Sequence, residues 1–148
     1  MINITGGMGN LATCIADELI SRNLDFVLHG RKTCLPKYNA YYNKLIDYED
    51  IVFKKTSRIL VVTNGFFQYV KFEKTSNQEI TDLIRANYDV VVRLVWNFLK
   101  QTDASLRRDI FVMGSTAAYD LGPNAGLYGA SKLALRGLLE SLNREYSN

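Results

Sequence analysis

Only two cysteines, Cys14 and Cys34, stand in the 148 residues. That is too few for a disulfide framework, and their spacing is not that of metal ligands. A single histidine, His29, excludes a histidine-rich metal site, and no metal is expected. Long apolar runs are missing as well. The longest nearly apolar region, Tyr88 to Leu99, is broken by Asp89, Arg93 and Asn97, so no membrane span is expected. The first residues lack the basic region and apolar stretch of a targeting segment, which makes a cytoplasmic location the expectation. Charge of one sign is also scarce. The 18 Lys+Arg against 15 Asp+Glu leave a net +3. That excess suits a phosphorylated ligand and argues against nucleic acid as a partner. With 47% hydrophobic and 22% charged residues, disorder is excluded. A chain of this size is one domain and can bury about two thirds of its unfolded surface.

What is present alternates between strand and helix. Ile2 and Ile4 flank Asn3 and lead into Thr5-Gly6-Gly7-Met8-Gly9, a short strand entering a tight turn. Leu11, Ile15 and Leu19 recur four apart with Ala12 and Cys14 beside them, which predicts a helix stopping near Asn23 with Cys14 packed. Phe26-Val27-Leu28 predicts the second strand, and the order strand, glycine turn, helix, strand is a βαβ unit with a right-handed crossover. Tyr41, Tyr42, Leu45, Ile46 and Ile51 suggest a helix over about Asn39 to Lys54, although Asp50 to Phe53 also reads as a short strand. Ile59 to Val62 is a continuous apolar run, as expected of a strand covered on both faces. Ser76 and Glu79 form a capping box opening a helix to about Lys100 with a wide apolar arc. Asp109 to Met113 predicts another buried strand, and a final helix runs from Tyr128 to about Tyr146 with Leu133, Leu135, Leu138, Leu139 and Leu142. The fold class is α/β, a Rossmann-like doubly wound parallel sheet, incomplete, with four or five strands.

Three groups of residues carry chemistry. The glycine turn sits between a strand and a helix, where main-chain N–H groups of Gly6, Gly7, Met8, Gly9, Asn10 and Leu11 can meet a pyrophosphate. The second strand ends in His29-Gly30-Arg31-Lys32 without an acid to accept from ribose hydroxyls, and the cations there attract a 2′-phosphate. NADP is therefore favoured over NAD, with Arg31 as its contact, while His29 is read as a strand-end residue without a chemical role. Tyr128 and Lys132 lie four apart on one helical face, so an ammonium group can draw the phenol toward working pH. Ser115 directly follows a strand and can hydrogen-bond a substrate oxygen.

Taken together, these residues resemble the short-chain dehydrogenase/reductase superfamily over nearly the whole chain. Thr5, Gly6, Gly7 and Gly9 match the TGGxGxxG fingerprint of its extended branch, with Ala12 at the last glycine, whereas the classical TGxxxGxG form fits less well. Val62-Thr63-Asn64-Gly65 stands where the classical branch has NNAG, with Asn64 and Gly65 lining the cofactor. Ser115 precedes Tyr128 by thirteen residues, the classical spacing, and Tyr128 to Lys132 matches YxxxK in full. The resemblance implies that Tyr128 exchanges the proton, that Lys132 lowers its pKa and holds the nicotinamide ribose, and that Ser115 orients the substrate oxygen. Asn87 would help hold a water in the proton relay.

The implied activity is NADP-dependent hydride transfer to or from a small-molecule carbonyl or secondary alcohol. The alternatives are a nucleotide-sugar epimerase or dehydratase, or a catalytically inactive dinucleotide-binding or protein-interaction module. The latter follows because only Ser147 and Asn148 remain after the last helix, where family members continue with a substrate-binding region. Residues 1–148 then read as a single truncated NAD(P)-binding domain. The 28 residues from 31 to 58 are too few for a full helix, strand and helix, so one outer unit should be missing or abbreviated. The resemblance implies a homodimer, or another protein partner, through the helices containing Asn87 and Tyr128, and the apolar excess around Val91, Val92, Val95 and Trp96 is what such an interface would use.

Overall fold

The computed structural model describes residues 1–146. Their order is β1 (Ile2–Thr5), α1 (Asn10–Ser21), β2 (Phe26–Gly30), β3 (Tyr42–Lys44), β4 (Ile59–Val62), α2 (Asn77–Ile84), α3 (Val90–Gln101), β5 (Asp109–Val112) and α4 (Gly126–Glu145). The five strands form one parallel sheet in the order β3-β2-β1-β4-β5, a Rossmann-like arrangement. Because β2 and β4 lie on opposite sides of β1, the strand order reverses there. In parallel sheets the crevice beyond the carboxyl ends at such a reversal is where ligands bind. The chain divides into two compact units, residues 1–64 with 93–113, and residues 65–92 with 114–148.

The first unit holds the sheet. One sheet face is filled by Ile4 and Leu28 against Ala12 and Ala16 of α1, with Phe26 and Tyr38 completing the buried cluster. Small residues on the inner stripe let α1 approach the strands closely. Cys14, two residues from either alanine, points elsewhere on the helix and is exposed rather than packed. Asn23 follows α1 at φ 53, the left-handed conformation that ends helices. Phe53 packs edge-on to Phe98 at 5.3 Å between ring centroids.

The segment expected to be a helix over about 39 to 54 is instead β3 flanked by three-residue turns at Pro36–Tyr38 and Tyr48–Asp50. Main-chain bonds from Leu28 to Tyr41 and from Leu45 to Gly30 extend the ladder beyond the strand itself. The apolar spacing misleads because Ile46 is almost wholly exposed while Tyr38, Tyr48, Ile51 and Phe53 are buried. Hydrogen bonds offered by the edge of β2 are non-local, and they outweigh the helical spacing of the apolar residues. The outer unit is thus abbreviated: the strand survives and its helices shrink to single turns.

Among the described residues β5 pairs only with β4, so it is an edge strand of mixed exposure rather than a buried one, with Phe111 58% exposed. The long helix expected from Asn77 breaks into α2 and α3 around a π-helical turn at Arg85–Asp89. The Ser76 hydroxyl accepts from the Glu79 N–H, and Glu79 accepts in return from the Ser76 N–H. In the second unit α4 begins two residues before Tyr128 and turns Leu135 inward, whereas Leu133 is 45% exposed.

Candidate functional site

In the first unit the glycine turn is built by backbone alone. Gly6 and Gly7 have φ 100 and 52, and the Gly9 N–H donates to the Gly6 carbonyl at 3.1 Å. A Cβ on Gly7 would lie 2.6 Å from the Gly30 Cα, and one on Gly6 would strike the Thr63 hydroxyl. The turn therefore lies against the ends of both neighbouring strands, and side chains are excluded sterically as well as conformationally. Gly9 caps α1 without a side chain, and the first turn of α1 carries no acid. Its leading N–H groups are left for an anion, with the helix dipole favouring negative charge.

Around the turn, the Thr63 hydroxyl donates to the Thr5 carbonyl at 2.7 Å and the Thr5 hydroxyl donates to Asn64 Oδ1 at 2.6 Å. These bonds tie the ends of β1 and β4 together and fix the Asn64 amide. The Arg31 guanidinium stands 5.3 Å above the centre of the Tyr48 ring. Tyr48 is buried, which raises its phenol above the ordinary value. Hydrogen bonds from the Asn64 side chain, the Gly6 main chain and Arg31, together with the Arg31 charge, oppose that rise. His29 is buried on the opposite sheet face from Leu28, between Asn3 Oδ1 and Asn43 Nδ2, each at 3.1 Å. Burial pushes its pKa down to about 4. With Asn43 donating to Nδ1, the neutral ring carries its proton on Nε2 and gives it to Asn3.

The second unit contributes side chains. Asn87 lies in the π-helical turn, fully buried. Its Oδ1 accepts from the Phe66 N–H and its Nδ2 donates to the Phe66 carbonyl, both at 2.8 Å. The same amide reaches the Ser131 hydroxyl at 3.5 Å. A Cβ on Gly65 would lie 2.8 Å from Asn87 Oδ1 and 3.6 Å from Lys132 Nζ, so Gly65, Asn87 and Lys132 are neighbours. Lys132 is buried, and burial draws its ammonium below the usual lysine range. Its Nζ lies 5.9 Å from the centre of the Tyr128 ring. Phe67 meets Tyr128 edge-on at 4.9 Å. Ser115 stands at the start of the turn Thr116–Ala118, where its hydroxyl accepts from the Ala117 N–H. A Cβ on Gly129 would lie 3.0 Å from the Ala117 carbonyl, so the missing side chain lets this turn rest on α4 one residue beyond Tyr128.

A cavity of about 200 Å³ opens beside the tyrosine. Gln68, Val70, Phe72, Leu83 and Leu127 line it together with Tyr128 itself. The Val70 N–H donates to the Asn124 carbonyl at 2.7 Å, joining two loops at its rim. Among the described residues no group of three potential metal ligands occurs, and no helix is long and apolar enough to cross a membrane.

The sequence-derived residues thus fall into two groups. Gly6, Gly7, Met8, Gly9, Asn10, Leu11, Arg31 and Asn64 belong to the first unit, and Gly65, Asn87, Ser115, Tyr128 and Lys132 to the second.

The model of the short chain dehydrogenase family matches residues 42–148. The chain belongs to that family. No curated protein matches it. Among solved structures, a short-chain dehydrogenase/reductase from Vibrio parahaemolyticus is similar at a TM-score of 0.84 and 20% identity, covering 98% of this chain and 69% of that one. A short-chain dehydrogenase from Streptomyces avermitilis gives a TM-score of 0.86 at 22% identity over 99% of this chain and 60% of that one. ElxO, solved with NADP bound, gives 0.84 at 20% identity over 99% and 67%. The chain therefore spans from 60 to 69% of the length of these three. Membership of the short chain dehydrogenase family implies a dinucleotide cofactor in general.

Sequence reasoning overlooked Tyr48, Ser131 and the Thr5–Thr63 lock. The signal for Tyr48 was local: Asp47 accepts from the Tyr48 N–H and Asp50 accepts from the Asp47 N–H, a reciprocal cap readable as D-x-x-D. Thr63 left no such mark, because its partner Thr5 is distant in the chain, and Ser131, whose hydroxyl donates to the Tyr128 carbonyl at 2.6 Å within α4, gives no local sign of its approach to Asn87.

Proposed function

We propose that this chain is an NADP-dependent oxidoreductase that acts on a carbonyl or secondary alcohol. The observation that carries the reading is the cluster of Asn87, Lys132 and Tyr128, in which a buried ammonium of lowered pKa lies within 6 Å of the tyrosine ring. The glycine turn fits a dinucleotide, since its uncapped helix start and side-chain-free surface suit a pyrophosphate. When bound, the nicotinamide supplies or accepts the hydride.

In this reading Tyr128 Oη gives its proton to the substrate oxygen, or takes it in the reverse direction. The Lys132 ammonium, 5.9 Å from the centre of the Tyr128 ring, holds the nicotinamide ribose. Ser115 Oγ donates to the substrate oxygen and stabilises the charge that develops there. Asn87, clamped through both side-chain atoms to Phe66, holds the π-helical turn and with it a water of the proton relay. Gly65 and Asn64 line the cofactor, and Arg31 takes the 2′-phosphate, which separates NADP from NAD.

Calorimetric titration with NADPH and NADH tests the cofactor assignment. NADPH should bind at least tenfold more tightly, and Arg31→Ala should remove the difference. Turnover of a panel of ketones and alcohols that disappears in Tyr128→Phe tests the chemistry. Binding of neither cofactor would defeat the reading.

We also propose association of two copies through α3. Val91 and Val95 are buried within the chain and Val92 is half-buried, so the exposed Trp96 is what remains of the expected apolar face. A sedimentation profile of a concentration-independent monomer would remove this assignment.

A further inference from the structure

One side chain of the protein itself meets three of the proposed cofactor ligands, Gly6, Arg31 and Asn64. Tyr48 follows β3 in the turn Tyr48–Asp50, is buried to 8% exposure, and has the Arg31 guanidinium over its ring at 5.3 Å. Its hydroxyl engages the Asn64 side chain and the Gly6 main chain. Asn64 Oδ1 accepts from Thr5, so the Asn64 amide is turned with its N–H₂ as the group left to donate. Gly6, Arg31 and Asn64 are three residues that the proposed function gives to the dinucleotide, from three different strand ends. One aromatic ring with a polar tip satisfies all three, which is the chemistry of an adenosine: a π-face for a cation and an oxygen for N–H donors.

We propose that Tyr48 occupies the adenosine seat of the glycine-turn site as an internal competitor, and that dinucleotide binding requires the 47–51 segment to swing outward. This inference rests on the proposed cofactor reading and assigns a gate to that same site. The segment is suited to the movement. It is a three-residue turn with a local Asp47–Asp50 cap, flanked by Ile46, 93% exposed, and Val52, 80% exposed. Its outward movement breaks no bond of the strand ladder, but it must release the Glu49–Arg93 ion pair at 3.5 Å and the Gln101 amide from the Ile51 carbonyl at 3.3 Å, and uncover Ile51. The apparent affinity for the cofactor is then reduced by the fraction of molecules in which the ring is out.

The test is calorimetric titration of NADPH into the wild-type chain, Tyr48→Phe and Tyr48→Ala, with melting temperatures as the check on folding. Tyr48→Ala should bind NADPH about tenfold more tightly than the wild type, because the closed state is lost. Tyr48→Phe, which keeps the ring and drops only the hydroxyl contacts, should fall between them and is the arbiter if the alanine variant does not fold. Amide exchange supplies a second readout: NADPH should slow exchange at residues 6–12 and speed it at 47–51. Equal or weaker binding by a folded variant, with the wild type still binding, would overturn the gate and leave the cofactor reading intact. Slowed exchange at 47–51 would overturn it as well, since the ring would then line the site without moving. Absence of NADPH binding in every variant would overturn both. Binding by Tyr48→Ala but not by the wild type would support both.

Discussion

The two units of this chain reach function by opposite routes. In the residues before Asn64 the candidate site is made of missing side chains: Gly6 and Gly7 press against Thr63 and Gly30, and α1 starts without a capping group. In the residues after Gly65 it is made of side chains present and held: Asn87 on Phe66, Lys132 beside Tyr128, Ser115 on its own turn. The first unit should therefore fail when atoms are added, and the second when functional groups are removed. Backbone cradles are steric objects. Proton-transfer clusters are electrostatic ones, and their geometry survives isosteric change.

Removing the Tyr128 hydroxyl tests the second half of this contrast most strongly. Tyr128→Phe should lower kcat by about 10² to 10⁴, the usual contribution of a positioned acid or base. Its melting temperature should stay near that of the wild type, because Phe67 still finds an aromatic edge. A large loss of stability would mean that the residue is structural.

Adding atoms to the first unit is the complement. Gly7→Val places a branched side chain against the Gly30 Cα at φ 52 and should cost about 3 kcal/mol of stability. NADPH binding should vanish with it. Chemical denaturation together with the cofactor titration measures both.

His29 offers a pH-dependent version of the same comparison. Its folded pKa of about 4 lies below the ordinary 6.5, so the unfolded chain binds the proton more readily. The stabilisation is complete above pH 6.5 and is lost as the pH falls toward 4, up to about 3 kcal/mol. His29→Gln should flatten that slope in urea melts taken at pH 7, 5.5 and 4.5. A wild-type slope unchanged by the substitution would place the acid sensitivity elsewhere.

The smallest effect has the opposite sign. Gly137 lies inside α4, and a Cβ there would meet nothing within 4 Å. Gly137→Ala should stabilise the second unit by about 0.5 to 1 kcal/mol through helix propensity alone. The same substitution at Gly7 should do harm, which separates a glycine required by sterics from one that is merely tolerated.

The sheet was legible in the chain because β1, β2 and β4 are short apolar runs stopped by glycine or Thr-Asn-Gly, and local patterning suffices for such strands. The capping box at Ser76 and Glu79 was legible for the same reason. The segment around β3 was not: its apolar residues fit a helix on paper, and what decided against it was the unpaired edge of β2. The π-helical turn at Arg85–Asp89 also left no local mark. Neither did the exposure of Cys14, which depends on the side of α1 that the alanines turn to the sheet.

The candidate site divides along the same line. The glycine turn and the Tyr128–Lys132 pair are fixed by spacing within a few residues, so the amino-acid order alone determined them. Tertiary structure decided which groups buried Asn87, what depressed the pKa values of His29 and Lys132, and that Tyr48 meets Gly6, Arg31 and Asn64. Those outcomes require residues tens of positions apart to lose water together. Desolvation and hydrogen bonding between distant strand ends are properties of the packed chain, and no local pattern encodes them.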